Sequence, residues 1–502
     1  MNSIVKLSIF SLFLILAVTS CSDDKEPPLY PQENVYMIID GEAYLKRLSI
    51  NNNGDVIIPS TITQDGQTYN VVGILNRAFS SRQINSIHIP PTLKKIEASV
   101  FYGQNIKEIY ITDLKAWCNI DFEDEWMGTH NPSLESNSNP ISTDTEFFVN
   151  GEKLITLILP ESVMTLKKYV FRNLNITGLV LSDNLIEIGE SAFENCKNLK
   201  NIKLGESLTY IGERAFQGCV ALEEINLNES LKTIEAYAFQ DSKIKTIEFP
   251  ATLEKLGVRA FYSSEFETVY IPENLKQIGL GNFMNTIKVS SPSIEDFLDI
   301  DFFYFPYVVL LEDTPPAFGV QHDIYINGNL FEDFYIPENI NVIKNYIFSN
   351  SNFITITIPS HVNSIGGSSF ENCKKLENLN INTGVEEIRS AAFYGCSALK
   401  EIIIPEGIKE ISFGTFNDCS TLAYLSLPAS LTDYQCSLEN CNSLKTIVLK
   451  APKVPKNDNS LYKPLYNYCN LYVPEESIEA YRENRFWGVI QNIYPLESLN
   501  QE

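Results

Sequence analysis

Leu199-Lys200-Asn201-Ile202-Lys203-Leu204, followed by Leu208, Ile211, Gly212, Ala215-Phe216 and Cys219, is the stretch that decides the fold of this 502-residue chain. Ile202 and Leu204 alternate with polar neighbours, the period-2 pattern of a strand with one buried face. Leu208 and Ile211 supply a second inward segment, and small Ala215 beside large Phe216 suits an interior where repeated side chains must interdigitate. The pattern returns at Leu376, Leu379-Asn380-Ile381, Val385, Ile388, Ala392-Phe393 and Cys396, and again at Leu399, Ile402-Ile403-Ile404-Pro405, Ile408, Ile411, Phe416 and Cys419. The phenylalanine recurs every 22 or 23 residues at Phe171, Phe193, Phe216, Phe239, Phe261 and Phe283, then at Phe348, Phe370, Phe393 and Phe416, with an earlier pair at Phe79 and Phe101. So short a period excludes a string of independent cores. It predicts one small unit stacked on its own copies, a β-rich repeat solenoid.

Proline follows the first strand in many copies (Pro90, Pro160, Pro250, Pro272, Pro337, Pro359, Pro405, Pro428). Having no amide hydrogen, it ends the ladder there and turns the chain. Two departures break the array, and they match each other. Asp113-Leu114-Lys115-Ala116-Trp117-Cys118-Asn119-Ile120-Asp121-Phe122 lies 180 residues before Ser293-Ile294-Glu295-Asp296-Phe297-Leu298-Asp299-Ile300-Asp301-Phe302. Phe148-Val149-Asn150-Gly151 answers Tyr325-Ile326-Asn327-Gly328 after 177. The array is therefore duplicated, with variant coils at about 113–160 and 290–337. They are either irregularities that bend the solenoid or a dedicated site.

The repeat L-x-x-I-x-I-P…I-x-x-x-A-F-x-x-C resembles the BspA-type (Treponema pallidum-like) leucine-rich repeat over roughly residues 66–450. Asn53-Gly54 and Asp65-Gly66 mark turns between apolar strands and resemble the hairpin cap that usually precedes the first repeat. Leu471-Tyr472-Val473-Pro474, Ser477-Ile478-Glu479-Ala480-Tyr481 and Phe486-Trp487 are similar to the family's C-terminal cap. Caps are needed because a bare terminal coil exposes its apolar face and strand edge. The resemblance implies a curved leucine-rich repeat solenoid of 22–23-residue coils, with a β cap over 35–70, repeats over 71–450 and a C-terminal cap over 451–502.

The first twenty residues read as an export signal: Lys6, then a largely apolar Leu7 to Val18 too short to span a bilayer. Val18-Thr19-Ser20-Cys21 resembles a bacterial lipobox, which implies lipid attachment at Cys21 and an outer-membrane, surface-exposed lipoprotein of the Bacteroides group. Residues 21–34, acidic and then proline-rich, read as a flexible tether. The formal charge of −25 argues against nucleic-acid binding.

Chemistry is sparse. Cys196 and Cys219, and separately Cys373, Cys396 and Cys419, hold one repeat position three residues after the phenylalanine and are expected to be buried free thiols. Cys118, Cys436, Cys441 and Cys469 read as off that ladder, and a bridge among the last three stays open. No zinc spacing occurs. His88, His130, His322 and His361 are far apart and match no catalytic signature, and His88 between Ile87 and Ile89 reads as an exposed strand residue. The acidic clusters Asp121/Glu123/Asp124/Glu125 and Glu295/Asp296/Asp299/Asp301 lack a calcium loop and read as solvated bulges. No metal, cofactor or catalytic residue is expected, and an enzyme would need a carboxylate pair facing across a cleft in the variant coils.

What remains is the outward face of the I-x-I strand, which the resemblance places on the concave binding surface. Its column reads His88, Tyr110, Ile158, Val180, Lys203, Asn226, Glu248, Tyr270, Tyr335, Thr357, Asn380, Ile403, Ser426 and Val448. The degenerate stretch around Lys288 is left out. A second column runs Ser86, Glu108, Thr156, Gly178, Asn201, Glu224, Thr246, Thr268, Asp333, Thr355, Asn378, Glu401, Tyr424 and Thr446. Such neutral, Thr/Asn/Tyr-rich columns suit strand formation by themselves or a binding surface. Bare Ile158, Val180, Ile403 and Val448 favour binding. The candidate contact residues are His88, Tyr110, Tyr270, Tyr335 and Tyr424. The resemblance implies an adhesin-like protein that holds a host matrix or cell-surface protein or another bacterial cell, and contacts the membrane only through its lipid. The alternative is a glycan-binding accessory of a nutrient-uptake system, which stacked, exposed Tyr pairs would favour.

Overall fold

The computed structural model describes residues 34–48, 54–79, 83–123, 138–303, 318–331, 334–457, 461–463 and 465–499. Cys21, the leader, most of the tether, Asn53, Asp124, Glu125, His130 and Asp333 lie outside them. The described chain is a β-solenoid. A typical coil has a first strand (Asn201–Lys203), a two-residue second strand (Tyr210–Ile211) and a phenylalanine turn; the coils around Ile225 and Ile247 keep the buried residue but form no first strand. Successive coils pair in parallel and in register: Gly178, Leu179 and Val180 lie opposite Asn201, Ile202 and Lys203, and Tyr210-Ile211 lies opposite Thr233-Ile234.

The phenylalanines form a stacked interior column. Ring centroids are 5.6 Å apart for Phe171–Phe193, 5.2 Å for Phe193–Phe216 and for Phe216–Phe239, and 5.1 Å for Phe239–Phe261. A second run joins Phe348 to Phe370 and Phe370 to Phe393, each at 5.4 Å. The turn is wired between coils as well. The Phe193 amide donates to the Ala215 carbonyl and the Phe216 amide to the Ala238 carbonyl. To make those bonds the backbone goes left-handed twice per turn, two residues before the phenylalanine (Tyr169, Ser191, Arg214, Tyr237) and two after it (Asn173, Asn195, Gly218, Asp241). Asn, Gly and Asp tolerate that region; Tyr and Arg do so only because the turn is bonded on both sides.

The nine described cysteines are free and buried. Those of the repeat position donate Sγ–H to the phenylalanine carbonyl one coil back: Cys196 to Phe171 at 3.3 Å, Cys219 to Phe193 at 3.4 Å and Cys396 to Phe370 at 3.2 Å. Cys441 joins them through Phe416 at 3.1 Å, correcting its reading as off the ladder. The pattern hid it because Leu438 replaces that coil's phenylalanine.

The variant coils share one construction. Asp113 and Ser293 cap the short helices Leu114–Cys118 and Ile294–Leu298 by accepting from the amides of Ala116 and Asp296. Strands Asp121–Phe122 and Asp301–Phe303 then return to the second sheet. Asn150-Gly151 and Asn327-Gly328, all left-handed, turn the hairpins Glu146–Val149/Glu152–Lys153 and Asp323–Ile326/Asn329–Leu330. Asn173 Nδ2 donates to the Ile141 carbonyl, and Asn350 Nδ2 to the Phe318 carbonyl 177 residues later.

At the N-terminus, the turns Asp40-Gly41 and Asp65-Gly66 close antiparallel hairpins. Parallel pairing begins inside the segment read as a cap, since Asp55–Ile57 pairs with Ser86–Ile89. At the other end Asn470–Val473 and Asn492–Pro495 extend the first sheet beyond Thr446–Leu449, with Tyr481, Phe486 and Trp487 buried beneath. Among the described residues no helix is long and apolar enough to cross a membrane.

Candidate binding face

Strand alternation puts every second residue of the first sheet outside, so each strand of three or four residues contributes two outward positions. The strand Thr355–Ile358 shows this plainly, with Thr355 and Thr357 exposed and Ile356 and Ile358 buried. Within each run of paired strands parallel, in-register pairing lines these positions up, and the repeat spacing carries the two rows through the coils between the runs.

The variant coils add members that the repeat pattern skipped. Ile57, His88, Tyr110 and Phe148 lie in one row across four consecutive strands. His88 stacks on Tyr110 at 4.5 Å with 9° between the rings, and Tyr110 on Phe148 at 4.6 Å with 15°. The Tyr110 hydroxyl donates to Glu108 at 2.8 Å. That donated proton, together with burial and neighbouring carboxylates, raises the phenol's pKa. Phe148 was missed because its spacing from Tyr110 is not that of a repeat. Only the Asn150-Gly151 hairpin places it.

In the second block, Lys288–Ser291 is a regular strand, not a degenerate one. Its Ser290 sits between Tyr270 and Tyr325 in the row. Tyr335 is therefore not a neighbour of Tyr270; it lies beyond the Asp323–Leu330 hairpin and packs edge-on to Phe331 at 5.4 Å. Tyr424 is half-buried in the other row, opposite Glu401 and Thr446. Burial raises its phenol pKa, with a neighbouring carboxylate adding to the effect.

Two members of the expected exposed column are covered. Ser426 and Val448 are 3% and 2% exposed. They share a row with Tyr472 and Tyr494, whose rings pack at 5.6 Å. Val180 is half-buried. By contrast Ile57, Ile158 and Tyr270 are 68%, 64% and 62% exposed, and Tyr335 and Ile403 are open as well.

Charge separates between the rows. Lys203 and Glu248 are the only charged members of the described row that runs from Ile57 to Tyr494. The flanking row carries Asp55, Glu108, Glu146, Glu224, Lys288, Asp323 and Glu401. The result is a nearly uncharged ridge with exposed aliphatic and aromatic side chains beside a mainly acidic margin.

In the variant coils lysines engage the acidic side chains. Lys344 reaches Asp301 at 2.9 Å and Asp299 at 3.4 Å, while Lys276 reaches Asp299 at 3.2 Å. Burial pushes the Asp299 carboxyl up, but the two lysines outweigh it and hold its pKa below the usual value. Lys167 meets Asp121 in the corresponding place of the first block. These carboxylates are paired with lysines and do not face one another across a cleft. Of the histidines, His322 is buried and His361 contacts the Pro337 carbonyl.

The model of the BspA type leucine-rich repeat region matches residues 60–177, 123–227, 187–306, 320–445 and 398–494. Among solved structures, a leucine-rich repeat protein from Bacteroides ovatus is similar at 17% identity and TM-score 0.43, with 93% of this chain and 100% of that chain covered. A leucine rich cell surface protein from Faecalibacterium prausnitzii is similar at 20% identity and TM-score 0.40, with 87% and 96% covered. No curated protein matches. With matched segments spanning most of its length and the repeat turn built as described, the chain belongs to the BspA-type leucine-rich repeat family.

Proposed function

We propose that this chain is a non-catalytic, cell-surface binding protein that holds a partner polypeptide, adhesin-like, along the nearly uncharged outward row of its first strands. The observation that carries the reading is the exposure of Ile57, Ile158, Tyr270, Tyr335 and Ile403 in a row with almost no charge. Apolar side chains held rigidly on a sheet are suited to burial against a partner. The acidic margin would set orientation and discourage acidic partners. At the His88–Tyr110–Phe148 end protein is preferred to glycan, because those rings spend their faces on each other. A stacked sugar needs an open face. Lipid attachment at Cys21 and an outer-membrane location complete the proposal.

The test is a screen of the immobilised full chain against matrix proteins, whole bacterial cells and polysaccharides. Replacing Tyr270 and Tyr335 by Ala should weaken binding of the protein ligand at least tenfold with the circular dichroism spectrum unchanged. Unaltered affinity would remove the row as the binding surface. Salt-insensitive binding to a polysaccharide alone would move the assignment to glycan capture. Labelled palmitate should enter the chain in the producing cell and be absent from Cys21→Ala.

A further inference from the structure

We propose that the outward row of the second block contains a slot for a single aromatic side chain of the partner polypeptide, between Tyr270 and Tyr325 and above Ser290. The inference rests on the binding role proposed for this row and names the chemistry that one segment of it recognises.

The duplication supplies the argument. In the first block three consecutive strands, the last opening the Asn150-Gly151 hairpin, carry His88, Tyr110 and Phe148, stacked at 4.5 Å and 4.6 Å. In the second block the corresponding strands, the last opening the Asn327-Gly328 hairpin, carry Tyr270, Ser290 and Tyr325 in register. The outer rings are kept and the middle ring is replaced by a hydroxymethyl group. Alternate strands are roughly 9.6 Å apart, twice the strand spacing, so one ring's thickness is left between the tyrosines. Tyr270 remains largely exposed and Tyr325 half-buried, and the two rings do not touch each other. A planar ring entering there would stand where Tyr110 stands in the first block, with an aromatic face on either side.

The charge beside the slot is also changed. Tyr110 donates its hydroxyl to Glu108; in the second block the place of Glu108 is taken by exposed Lys288. An ammonium at that point favours a partner segment in which an acidic residue adjoins the aromatic one. A pyranose can also set its C–H faces against aromatic rings, so methyl glucoside is the control that separates a sugar from a side chain.

The experiment uses the full chain carrying 3-fluorotyrosine, with Tyr270→Phe and Tyr325→Phe identifying the two fluorine resonances. N-acetyl-Glu-Trp-amide is titrated, with N-acetyl-Glu-Ala-amide and methyl glucoside as controls. The expected result is a saturable shift of both resonances with the tryptophan peptide only. Ser290→Tyr should weaken that binding at least tenfold; it recreates the arrangement of the first block, so the fold accommodates it. The proposal is overturned if the shift survives Ser290→Tyr, if no saturable shift occurs, or if methyl glucoside produces the same shift. A protein partner that needs Tyr335 and Ile403 but is indifferent to Ser290→Tyr would eliminate the slot while leaving the row as the binding surface.

Discussion

Arg172 holds its guanidinium Nε 3.1 Å from a Glu194 carboxylate oxygen in the adjoining phenylalanine turn, with both side chains almost out of solvent. The second block keeps the acid and loses the base: Glu371 stands 177 residues after Glu194, while Ser349 stands where Arg172 would be. Burial raises the Glu371 pKa, opposed only in part by a hydrogen bond from Ser368. One protein thus contains both versions of the same turn.

For the paired version, Arg172→Ala should destabilise the first block by about 3–5 kcal/mol, because it strands a buried carboxylate. Urea denaturation at pH 7 measures it. A loss below about 1 kcal/mol would mean that water reaches Glu194 and replaces the arginine.

The unpaired version behaves oppositely. A carboxyl whose folded pKa is raised contributes stability below its unfolded pKa and loses it as pH rises through the folded value. Glu371→Gln should therefore stabilise the protein at pH 7 and give no gain at pH 3. Ser349→Arg should also stabilise at pH 7 by restoring the pair. If both variants are neutral across this range, the carboxylate is solvated.

His322 is fully buried between Phe318, the Val320 carbonyl and Ser351, and desolvation lowers its pKa to about 4 against a weak opposing pull from the Val320 carbonyl and Asp323. Its counterpart in the first block is Thr145, which donates to the Ile106 carbonyl at 2.7 Å. A histidine with a depressed folded pKa stabilises the protein above its unfolded pKa, and that contribution is lost as pH falls from 6.5 toward 4. The gap corresponds to about 3 kcal/mol. His322→Thr should flatten the stability profile over this window; an unchanged slope would place the acid sensitivity elsewhere.

The thiol ladder should be chemically silent in the native state. Burial pushes Cys118, Cys219 and Cys469 up to about 12 and Cys196 well above the ordinary thiol range, which leaves almost no thiolate. Iodoacetamide at pH 8 should leave all nine described cysteines unmodified until the chain is unfolded, as read by peptide mass spectrometry. Rapid native labelling of Cys219 or Cys396 would show that the coils separate locally.

Truncating one rung of the aromatic column tests how cooperative the stack is. Phe216→Ala should cost about 3–5 kcal/mol, since the ring is fully buried and packs on both Phe193 and Phe239. If unfolding then separates into two transitions, the blocks on either side are only locally coupled.

The chain's own periodicity determined the solenoid, its parallel coils, the buried Phe and Cys columns and the duplicated variant coils. Those features repeat a local pattern whose inward side chains can be buried only by stacking. It also determined that His88, Tyr110 and Tyr270 face outward, because strand alternation follows from residue spacing. Only the tertiary structure decided which outward residues are neighbours. Phe148 stacks on Tyr110, and Ser290 separates Tyr270 from Tyr325, because hairpins off the repeat period bring those strands into line. Cys441 joined its column through a leucine that the phenylalanine period skipped. Ser426 and Val448 are buried at the end of the row that later strands extend with Tyr472 and Tyr494. Register along one strand is local, whereas the row across strands depends on how each irregular coil closes, and that is a matter of packing.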